Sequence, residues 1–258
     1  MIREMYTAAI GMLPDQTRLE VSANNIANAK TTGFKREGVF QRRLLEAKFN
    51  LHGIPGDVEQ TDPMSEKHTD LSPGAFEKTD NPFEFALNNR GYFTVLNDKG
   101  EELLTRAGRF TLSDDGTITT PQGFPLMGET GTLVIPQYLL QSEGRDPSEP
   151  LSLVVGATGE MFVNDESIGR LQVLDAENPQ TLERVSNTHF KPRTETILET
   201  VPPAELDVKQ GFIEISNVDI VEEMVAMIQT QRSFELGNRV IRTNDDTLDR
   251  SIEIGRVL

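Results

Sequence analysis

Near the C-terminus, apolar residues recur at every seventh position, and this pattern predicts one long amphipathic helix over residues 217–258. The repeating apolar positions are Ile220, Met227, Phe234, Ile241 and Leu248. The positions four residues after each of these, of which Met224 is the first, complete the alternating spacing of four and three that is typical of a coiled-coil seam. A helix of this length would span roughly 60 Å, so we expect it to need partner helices along its apolar face.

Three polar residues lie on this predicted seam at intervals of seven, namely Gln231, Asn238 and Asp245. One interpretation is that they fix the register of the helix by hydrogen bonding to partner helices. The alternative is that the seam drifts around the helix, because the helical repeat does not match a seven-residue repeat, so that these side chains reach solvent. The sequence leaves both interpretations open.

The N-terminus carries a second helical pattern over residues 2–28, again with apolar residues spaced by seven. These residues are Met5, Met12, Leu19 and Ile26. Pro14 predicts a kink or a new helix start, and Gly33 follows the predicted end of the helix near Asn28. Because the apolar faces of both terminal helices are wider than one partner requires, we expect them to pack among several copies of the chain.

Between the helical ends the pattern changes to that of short strands. Residues 35–74 are interpreted as an extended linking arm, irregular in its second half. From residue 75 onward, short apolar runs alternate with turn signals about every ten residues, which indicates an antiparallel β domain. Residues 92–96 and 101–105 predict a hairpin closed by an Asn-Asp-Lys-Gly turn.

The last part of the β domain is harder to read. Residues 169–174 alternate as one strand, and residues 175–209 are a polar stretch that contains several prolines. Residues 211–215 predict a final strand, with Ser216 or Asn217 as the N-cap of the long helix.

The predicted fold class is therefore α+β. Long N- and C-terminal helices form a coiled-coil domain from residues 1–34 and 217–258. Residues 35–74 form the arm, and residues 75–216 form an antiparallel all-β domain inserted between the two helices.

Composition narrows the possible partners. The chain has 25 Lys and Arg against 41 Asp and Glu, which gives a net charge of −16. So acidic a chain repels phosphate backbones and anionic lipids, so we expect neither nucleic-acid binding nor membrane insertion. The absence of cysteine excludes disulfides and thiolate ligands. The N-terminus has no uninterrupted apolar segment, so no cleavable signal peptide is expected.

Residues suited to catalysis are not grouped in the sequence. His52, His68 and His189 lie far apart and have neither metal-ligand nor triad spacing. Phosphate-binding and dinucleotide-binding glycine motifs are missing as well. We therefore expect no enzyme activity, no catalytic residues, no cofactor, no metal site and no small-molecule substrate.

Three separate motifs carry a resemblance to the bacterial flagellar rod and hook proteins. The N-terminal motif runs from Asn24 to Arg36, the central one includes residues 91–95 and 105–110, and the C-terminal one runs from Gln210 to Glu235. The motif residues that we single out are Asn24, Asn25, Asn28, Gly33, Phe34, Gln210, Gly211, Glu214, Ser216 and Asn217. The resemblance covers most of the chain, and the motifs occur in the order of the family.

The resemblance implies a structural subunit of the flagellar basal-body rod, exported through the flagellar type III apparatus without a cleavable signal. Such a subunit polymerises helically with itself and with other axial proteins into the rod that crosses the periplasm. The stretch from Leu126 to Gly131 and the short arm before Pro73 and Gly74 resemble the proximal rod protein more closely. The C-terminal motif is close to the distal rod pattern, and the distal rod protein is the alternative.

An alternative from another functional class is a soluble, β-rich binding module whose helices only dimerise. Such a module would form a closed dimer at all concentrations, whereas a rod subunit would form an open-ended assembly.

Overall fold

In a computed structural model, the protein is α+β, as the sequence predicts, with a mostly β body and a helix at each end. The structure describes residues 2–41, 65–140, 152–193 and 195–257. The helices in these parts are α1 (Ile2–Ala27), α2 (Gln137–Leu140), the 3-10 helix η1 (Pro179–Thr181) and α3 (Ile220–Val257).

The chain forms two compact units. One, called here the helical unit, consists of Met1–Ala27, Arg36–Asp70 and Val218–Leu258. The other, called the β body, consists of Asn28–Lys35 and Leu71–Asn217. The coiled-coil arrangement, the insertion of one domain into another, and the domain boundaries expected from the sequence stay predictions.

Both terminal helices form as the heptad patterns predict. α1 continues through Pro14 as one helix of 26 residues. α3 begins later than expected, because its N-cap is Asp219: the carboxylate accepts hydrogen bonds from the backbone N–H groups of Val221 (2.8 Å) and Glu222 (3.2 Å). The prediction of Ser216 or Asn217 as the N-cap was therefore wrong. Asp219 is preferred as the N-cap because a carboxylate also interacts favourably with the positive end of the helix dipole.

The helical unit also contains a strand pair that the sequence did not predict. β1 (Glu37–Gln41) and β2 (Ser65–Thr69) are antiparallel, with Glu37 opposite Thr69. The later part of the expected arm therefore includes a strand, β2. Its backbone groups pair with those of β1, which lies soon after α1 in the chain. Residues 42–64 of the predicted arm lie outside the described residues.

Among the residues that the structure describes, seventeen strands build the β body. In chain order they are β3 (Phe76–Lys78), β4 (Phe85–Leu87), β5 (Tyr92–Leu96), β6 (Glu102–Thr105), β7 (Thr111–Leu112), β8 (Ile118–Thr119), β9 (Met127–Gly128), β10 (Gly131–Thr132), β11 (Leu153–Val155), β12 (Glu160–Val163), β13 (Glu166–Arg170), β14 (Val173–Ala176), β15 (Leu182–Arg184), β16 (His189–Pro192), β17 (Leu198–Thr200), β18 (Val208–Gln210) and β19 (Phe212–Glu214).

The largest sheet has six strands in the order β15-β16-β6-β5-β14-β17. Its centre is the predicted hairpin, in which Phe93 pairs with Thr105 and Leu96 with Glu102. A three-stranded sheet joins β11, β12 and β13, and shorter pairs join β7 to β8, β9 to β10, β18 to β4 and β19 to β3.

One part of the strand prediction was wrong, and three strands were missed. Residues 169–174 are not one strand, because β13 pairs with β12 while β14 pairs with β5 and β17, and the chain changes partners at the buried Leu171. The polar stretch 175–209 contains β15, β16 and β17, which the sequence did not predict. β15 and β17 are the edge strands of the large sheet, where polar and charged residues are usual.

The large sheet is covered by apolar side chains on both faces. Along β5, Tyr92 belongs to one buried cluster, whereas Phe93 and Val95 belong to another. In β6, Leu103 and Leu104 divide in the same way. Since successive side chains of a strand point to opposite faces, both faces of the central hairpin are buried, except at Leu96 and Glu102 beside its turn.

One buried histidine lies in this sheet. His189 is 2% exposed and stands opposite Thr105. Its Nδ1 lies 2.9 Å from Ser186 Oγ, its ring packs edge-on against Phe124, and its Nε2 has no hydrogen-bond partner. Burial lowers the pKa of His189, because a second N–H at Nε2 would be charged and without an acceptor.

This burial predicts a pH dependence of stability. The pKa of His189 is lower in the folded state than in the unfolded state, so below the unfolded value of about 6.5 the unfolded chain binds more protons. Stability is therefore complete above that pH and falls as the pH drops toward the folded pKa. We expect the free energy of unfolding to fall less for His189→Gln than for the unmodified protein between about pH 7.5 and pH 5.5, a range that spans the ordinary histidine pKa. Urea titrations at the two pH values measure the difference.

The matched control is His68→Gln, since His68 is exposed. This variant should keep the pH dependence of the unmodified protein. Identical pH dependences for His189→Gln and the unmodified protein would contradict the assignment.

Candidate functional site

In the helical unit, α1 and α3 pack side by side and run in opposite directions. Met12 lies beside Gly237, where an added Cβ would be 2.9 Å from Met12 Cγ. Further along the pair, Ser233 Oγ donates a hydrogen bond of 2.8 Å to Asp15 Oδ2. The glycine therefore permits the close approach, and the hydrogen bond holds the two helices in register.

A single line of buried and half-buried side chains runs along α3. The residues on this line are Glu223, Met227, Thr230, Phe234, Gly237, Ile241 and Asn244. They alternate at spacings of four and three, which is the spacing that keeps one face of a helix against a partner. This line includes Gly237 and so faces α1.

The residues predicted for contacts between copies fall into several groups in this single chain. Half-buried are Met12, Leu19, Ile26, Met227, Phe234, Asn238 and Ile241. Exposed are Ile220, Met224, Gln231 and Asp245. Met5 and Leu248 belong to the helices, but their side chains lie outside the described part of the chain. The packing and register roles of all these residues stay predictions.

Two polar contacts close the end of the helical unit where α3 begins. Asn25 of α1 is buried, and its side chain both donates to Glu37 O (2.8 Å) and accepts from Glu37 N (2.9 Å). Next to it, Arg36 Nε lies 2.6 Å from Glu223 Oε1. The hydrogen bond that Arg36 donates to Glu223 raises the pKa of Arg36. The motif residue Asn25 thus holds the start of β1 against α1.

On the opposite side of α3 lies an exposed apolar surface, called here the outer face of α3. Its members are Val221, Met224, Val225, Ile228, Leu236 and Val240, each with half or more of its side chain exposed or close to it. At about 100° per residue, these positions lie roughly opposite the line that faces α1. The helix is therefore apolar on two sides, and its single described partner helix covers one of them.

In the β body, the N-terminal motif is buried. Gly33 has φ +68°, and an added Cβ would lie 2.3 Å from the backbone nitrogen of Ala107. Phe34 is fully buried, with the guanidinium carbon of Arg184 4.8 Å from its ring centroid. Only glycine suits position 33, because it must adopt a left-handed conformation and also allow close backbone contact.

The next motif residue, Lys35, forms a buried ion pair with Glu214. Lys35 Nζ lies 2.5 Å from Glu214 Oε1, and the two side chains are 2% and 1% exposed. Nζ also donates to Ser72 O (2.7 Å), and the same carboxylate oxygen accepts from the N–H of Gly74 (3.0 Å). The other oxygen, Oε2, lies 3.5 Å from Arg106 Nη1. We call these five residues the Lys35–Glu214 cluster.

Arg106 connects the cluster to the core of the large sheet. Its guanidinium also donates to Leu87 O (3.3 Å) and lies 5.2 Å from the ring centroid of Tyr92. Burial raises the pKa of Tyr92 to about 12, and the nearby Arg106 charge opposes part of that shift. Tyr92 is therefore neutral at physiological pH. The positively charged side chains beside Glu214 are Lys35 and Arg106.

The remaining motif residues make other contacts in the β body. Gln210 bridges two segments by donating to Pro82 O (2.9 Å) and Leu153 O (2.7 Å). The carbonyl of Gly211 accepts from the backbone of Thr79 (2.8 Å). A further set of contacts joins Asn217 Nδ2 to Ser72 Oγ at 3.1 Å and Asn187 Nδ2 to Asn28 Oδ1 at 2.8 Å. Ser216 is buried and Asn24 is exposed.

Sequence reasoning placed Lys35, Arg106 and Glu214 within the family motifs but missed the pairing of Lys35 with Glu214, and it missed Ser72 and Gly74. One local signal was present: Glu214 stands between Ile213 and Ile215, and Lys35 follows Phe34. A charge within an apolar run often marks a buried, paired group. The partners themselves lie 179 positions apart, and no local pattern reports such a distance.

The described residues contain no group of three or more His, Cys, Asp or Glu side chains that could hold a metal ion. In the same part of the chain, no helix combines the length and the apolar character needed to cross a membrane.

Three protein-family models match the chain. "Flagella basal body rod protein" matches residues 5–35, "Flagellar hook protein FlgE/F/G D1 domain" matches residues 86–163, and "Flagellar basal body rod FlgEFG protein C-terminal" matches residues 209–254. The buried motif residues Gly33, Phe34 and Lys35 lie in the first match, and Gln210, Glu214 and most of α3 lie in the last.

Relatives match over nearly their whole length. The flagellar basal-body rod protein FlgG of Agrobacterium fabrum strain C58 is 30% identical, over 95% of this chain and 96% of the relative. FlgF of Rhizobium meliloti strain 1021 is 29% identical over 96% of both chains. FlgG of Buchnera aphidicola subsp. Schizaphis graminum is 28% identical over 97% of this chain and 98% of the relative. The resemblance that the motifs carry is thereby confirmed: this chain belongs to the flagellar basal-body rod protein family and is a structural subunit of the rod.

Proposed function

We propose that this rod subunit polymerises helically through its terminal helices, and the exposed outer face of α3 is the observation that carries the proposal. A long helix with apolar side chains on two opposite sides needs more than one helical neighbour. The face is long and lies on a terminal element, so copies stacked with a screw rotation can each use it. The product of such stacking is an open-ended filament.

The energetics support several contacts per copy. Burying the exposed half of a valine, leucine or methionine side chain contributes about 1 kcal/mol. Six such side chains on the outer face together contribute on the order of several kcal/mol. The loss of translational and rotational freedom on fixing one subunit in place costs more than this, so the outer face offsets it only in part. Contacts to several neighbours therefore have to add together, as they do in a helical assembly.

In the proposed assembly, residues 1–34 and 217–258 form a coiled-coil domain that lines the inner wall of the rod. Residues 35–74 form the linking arm, and residues 75–216 form the inserted β domain. Met5, Met12, Leu19, Ile26 and the seven-spaced residues of α3 carry the subunit packing. Gln231, Asn238 and Asp245 supply polar contacts at the register positions. Gln231 and Asp245 are exposed in the single chain, which leaves them available to neighbouring copies.

The same proposal makes the chain a non-enzymatic protein. Its partners are other copies of itself, the neighbouring axial proteins of the flagellum and the type III export apparatus. Its place is the part of the basal body that crosses the periplasm. The strongly acidic composition, with a net charge of −16, supports an absence of nucleic-acid partners.

Within the rod, the proximal position is the one that we propose, on the stretch from Leu126 to Gly131. The distal position is the alternative, because relatives named FlgG and FlgF match at similar identity.

We expect Val225→Asp to prevent incorporation into the rod and to abolish motility while the monomer stays folded. Val225 is 49% exposed on the outer face, so the single chain tolerates a carboxylate there. In an assembly the charge would be buried without a counter-ion, at a cost of about 2 kcal/mol or more for every copy. Complementation of a deletion strain, followed by motility assays and immunoblots of isolated basal bodies, measures the effect.

The matched control is Val185→Asp in the β body, since Val185 is 55% exposed. The control should be incorporated and motile. A motile Val225→Asp strain would overturn the packing proposal, and a closed dimer of the purified chain at all concentrations would favour the binding module instead.

The rod position predicts the product of a deletion. A linear assembly grows from its base, so loss of a proximal subunit removes every later segment, and loss of a distal subunit leaves a short rod. We expect basal bodies from a deletion strain to lack the rod beyond its base when viewed by electron microscopy, and a complemented strain to restore it. A stable short rod in the deletion strain would place the chain distally.

A further inference from the structure

The chain passes between its two units at four points, after residues 27, 35, 70 and 217. At three of these points, the first four residues on the β-body side include a member of the Lys35–Glu214 cluster. Lys35 is the last residue of its segment, Ser72 is the second residue of the next one, and Glu214 lies just before Asn217. We propose that Lys35 and Glu214 are positioning residues, which hold these three crossing segments together on the β body so that the subunit can assemble. This role rests on the proposed function.

The contacts of one carboxylate support this role. Glu214 accepts from Lys35 Nζ at 2.5 Å and from the N–H of Gly74 at 3.0 Å, so it joins the second and third crossings to the fourth. Lys35 Nζ donates at the same time to Ser72 O at 2.7 Å. Backbone hydrogen bonds follow the same route, from Gly33 N to Glu214 O at 2.8 Å and from Ile215 N to Ala75 O at 2.9 Å.

Close backbone packing makes the arrangement intolerant of displacement. A Cβ on Gly74 would lie 1.9 Å from Ile215 O, and a Cβ on Gly33 would lie 2.3 Å from Ala107 N. The segments are therefore in van der Waals contact on both sides of the ion pair. If Lys35 loses its charge, Glu214 keeps only the longer contact to Arg106 as a charged partner, and the segments separate to let water reach the carboxylate.

A buried ion pair is weak evidence for stability, because an apolar pair of the same volume often stabilises a protein equally well. Its advantage is geometric. The lysine has three donors and the carboxylate has several acceptor positions, and here they are used by different segments of the chain. An apolar pair could fill the space but could not select which carbonyl and which N–H stand beside it.

The test is amide hydrogen exchange in the full-length monomer, resolved by residue, for Lys35→Met and for Glu214→Gln. The reporter amides are those of Gly33, Gly74 and Ile215, which are bonded at the crossings. The reference amides are those of β5 and β6 at the centre of the large sheet. We expect the reporter amides to exchange more than about tenfold faster in both variants while the reference amides keep their rates. Motility of strains carrying either variant should be lost.

The matched control is Lys191→Met. Lys191 pairs with Glu101 at 2.6 Å in the same β body, but both side chains are more than 40% exposed. This variant should leave both sets of amides and motility unchanged, because an exposed pair contributes little.

Three outcomes would overturn the proposal. Equal acceleration of reporter and reference amides would mean that the pair only stabilises the β body as a whole. Unchanged exchange rates of the reporter amides in both variants would mean that the ion pair does not hold the crossing segments together. Fast reporter amides with normal motility would separate the crossings from assembly. None of these depends on the packing proposal, which fails separately if the Val225→Asp strain swims and which predicts unchanged reporter amides in that variant.

Discussion

The buried pair of Lys35 and Glu214 is the interaction around which the described part of the β body is arranged at the chain crossings. Two opposite charges taken out of water cost more than their attraction returns, unless every remaining donor and acceptor finds a partner. Here the partners come from separate segments: a carbonyl at Ser72, an N–H at Gly74 and a guanidinium at Arg106. The donors and acceptors of the ion pair are all bonded only when these segments are in place at once. The pair therefore constrains how the β body folds at the chain crossings.

The helical unit follows a different physical rule. Its polar contacts, at Asn25 with Glu37 and at Arg36 with Glu223, lie where α3 begins, and Asp15 bonds to Ser233 further along the helix pair. These contacts fix how α1 and α3 meet but use little of the apolar surface of α3. The outer face of α3 stays exposed because two helices can cover only one side of each other. We propose that neighbouring copies of the chain cover this second apolar side.

The sequence predicted those features that depend on local spacing. Seven-residue repeats predicted α1 and α3, and turn signals predicted the hairpin of β5 and β6, since helical periodicity and turn chemistry are short-range properties. Strands β15 and β17 were missed because edge strands are polar, and β2 was missed because its partner lies across a long intervening segment. The ion pair was missed for the same reason, as its members are 179 positions apart. The motif resemblance singled out Glu214 without revealing which residue it pairs with.

Specificity and association are therefore supplied by different chemistry in different parts of the chain. Directional hydrogen bonds and a buried ion pair specify a single arrangement of the β body at its crossings, and they contribute little to the affinity between copies. Non-directional apolar burial along α3 provides affinity, but it would tolerate many registers by itself. A subunit that must join a polymer in one orientation needs both properties, and separating them lets either one change without loss of the other. Lys35 and Glu214 lie close in sequence to the chain connections between the two parts, so the pair acts on the segments through which the chain leaves the β body.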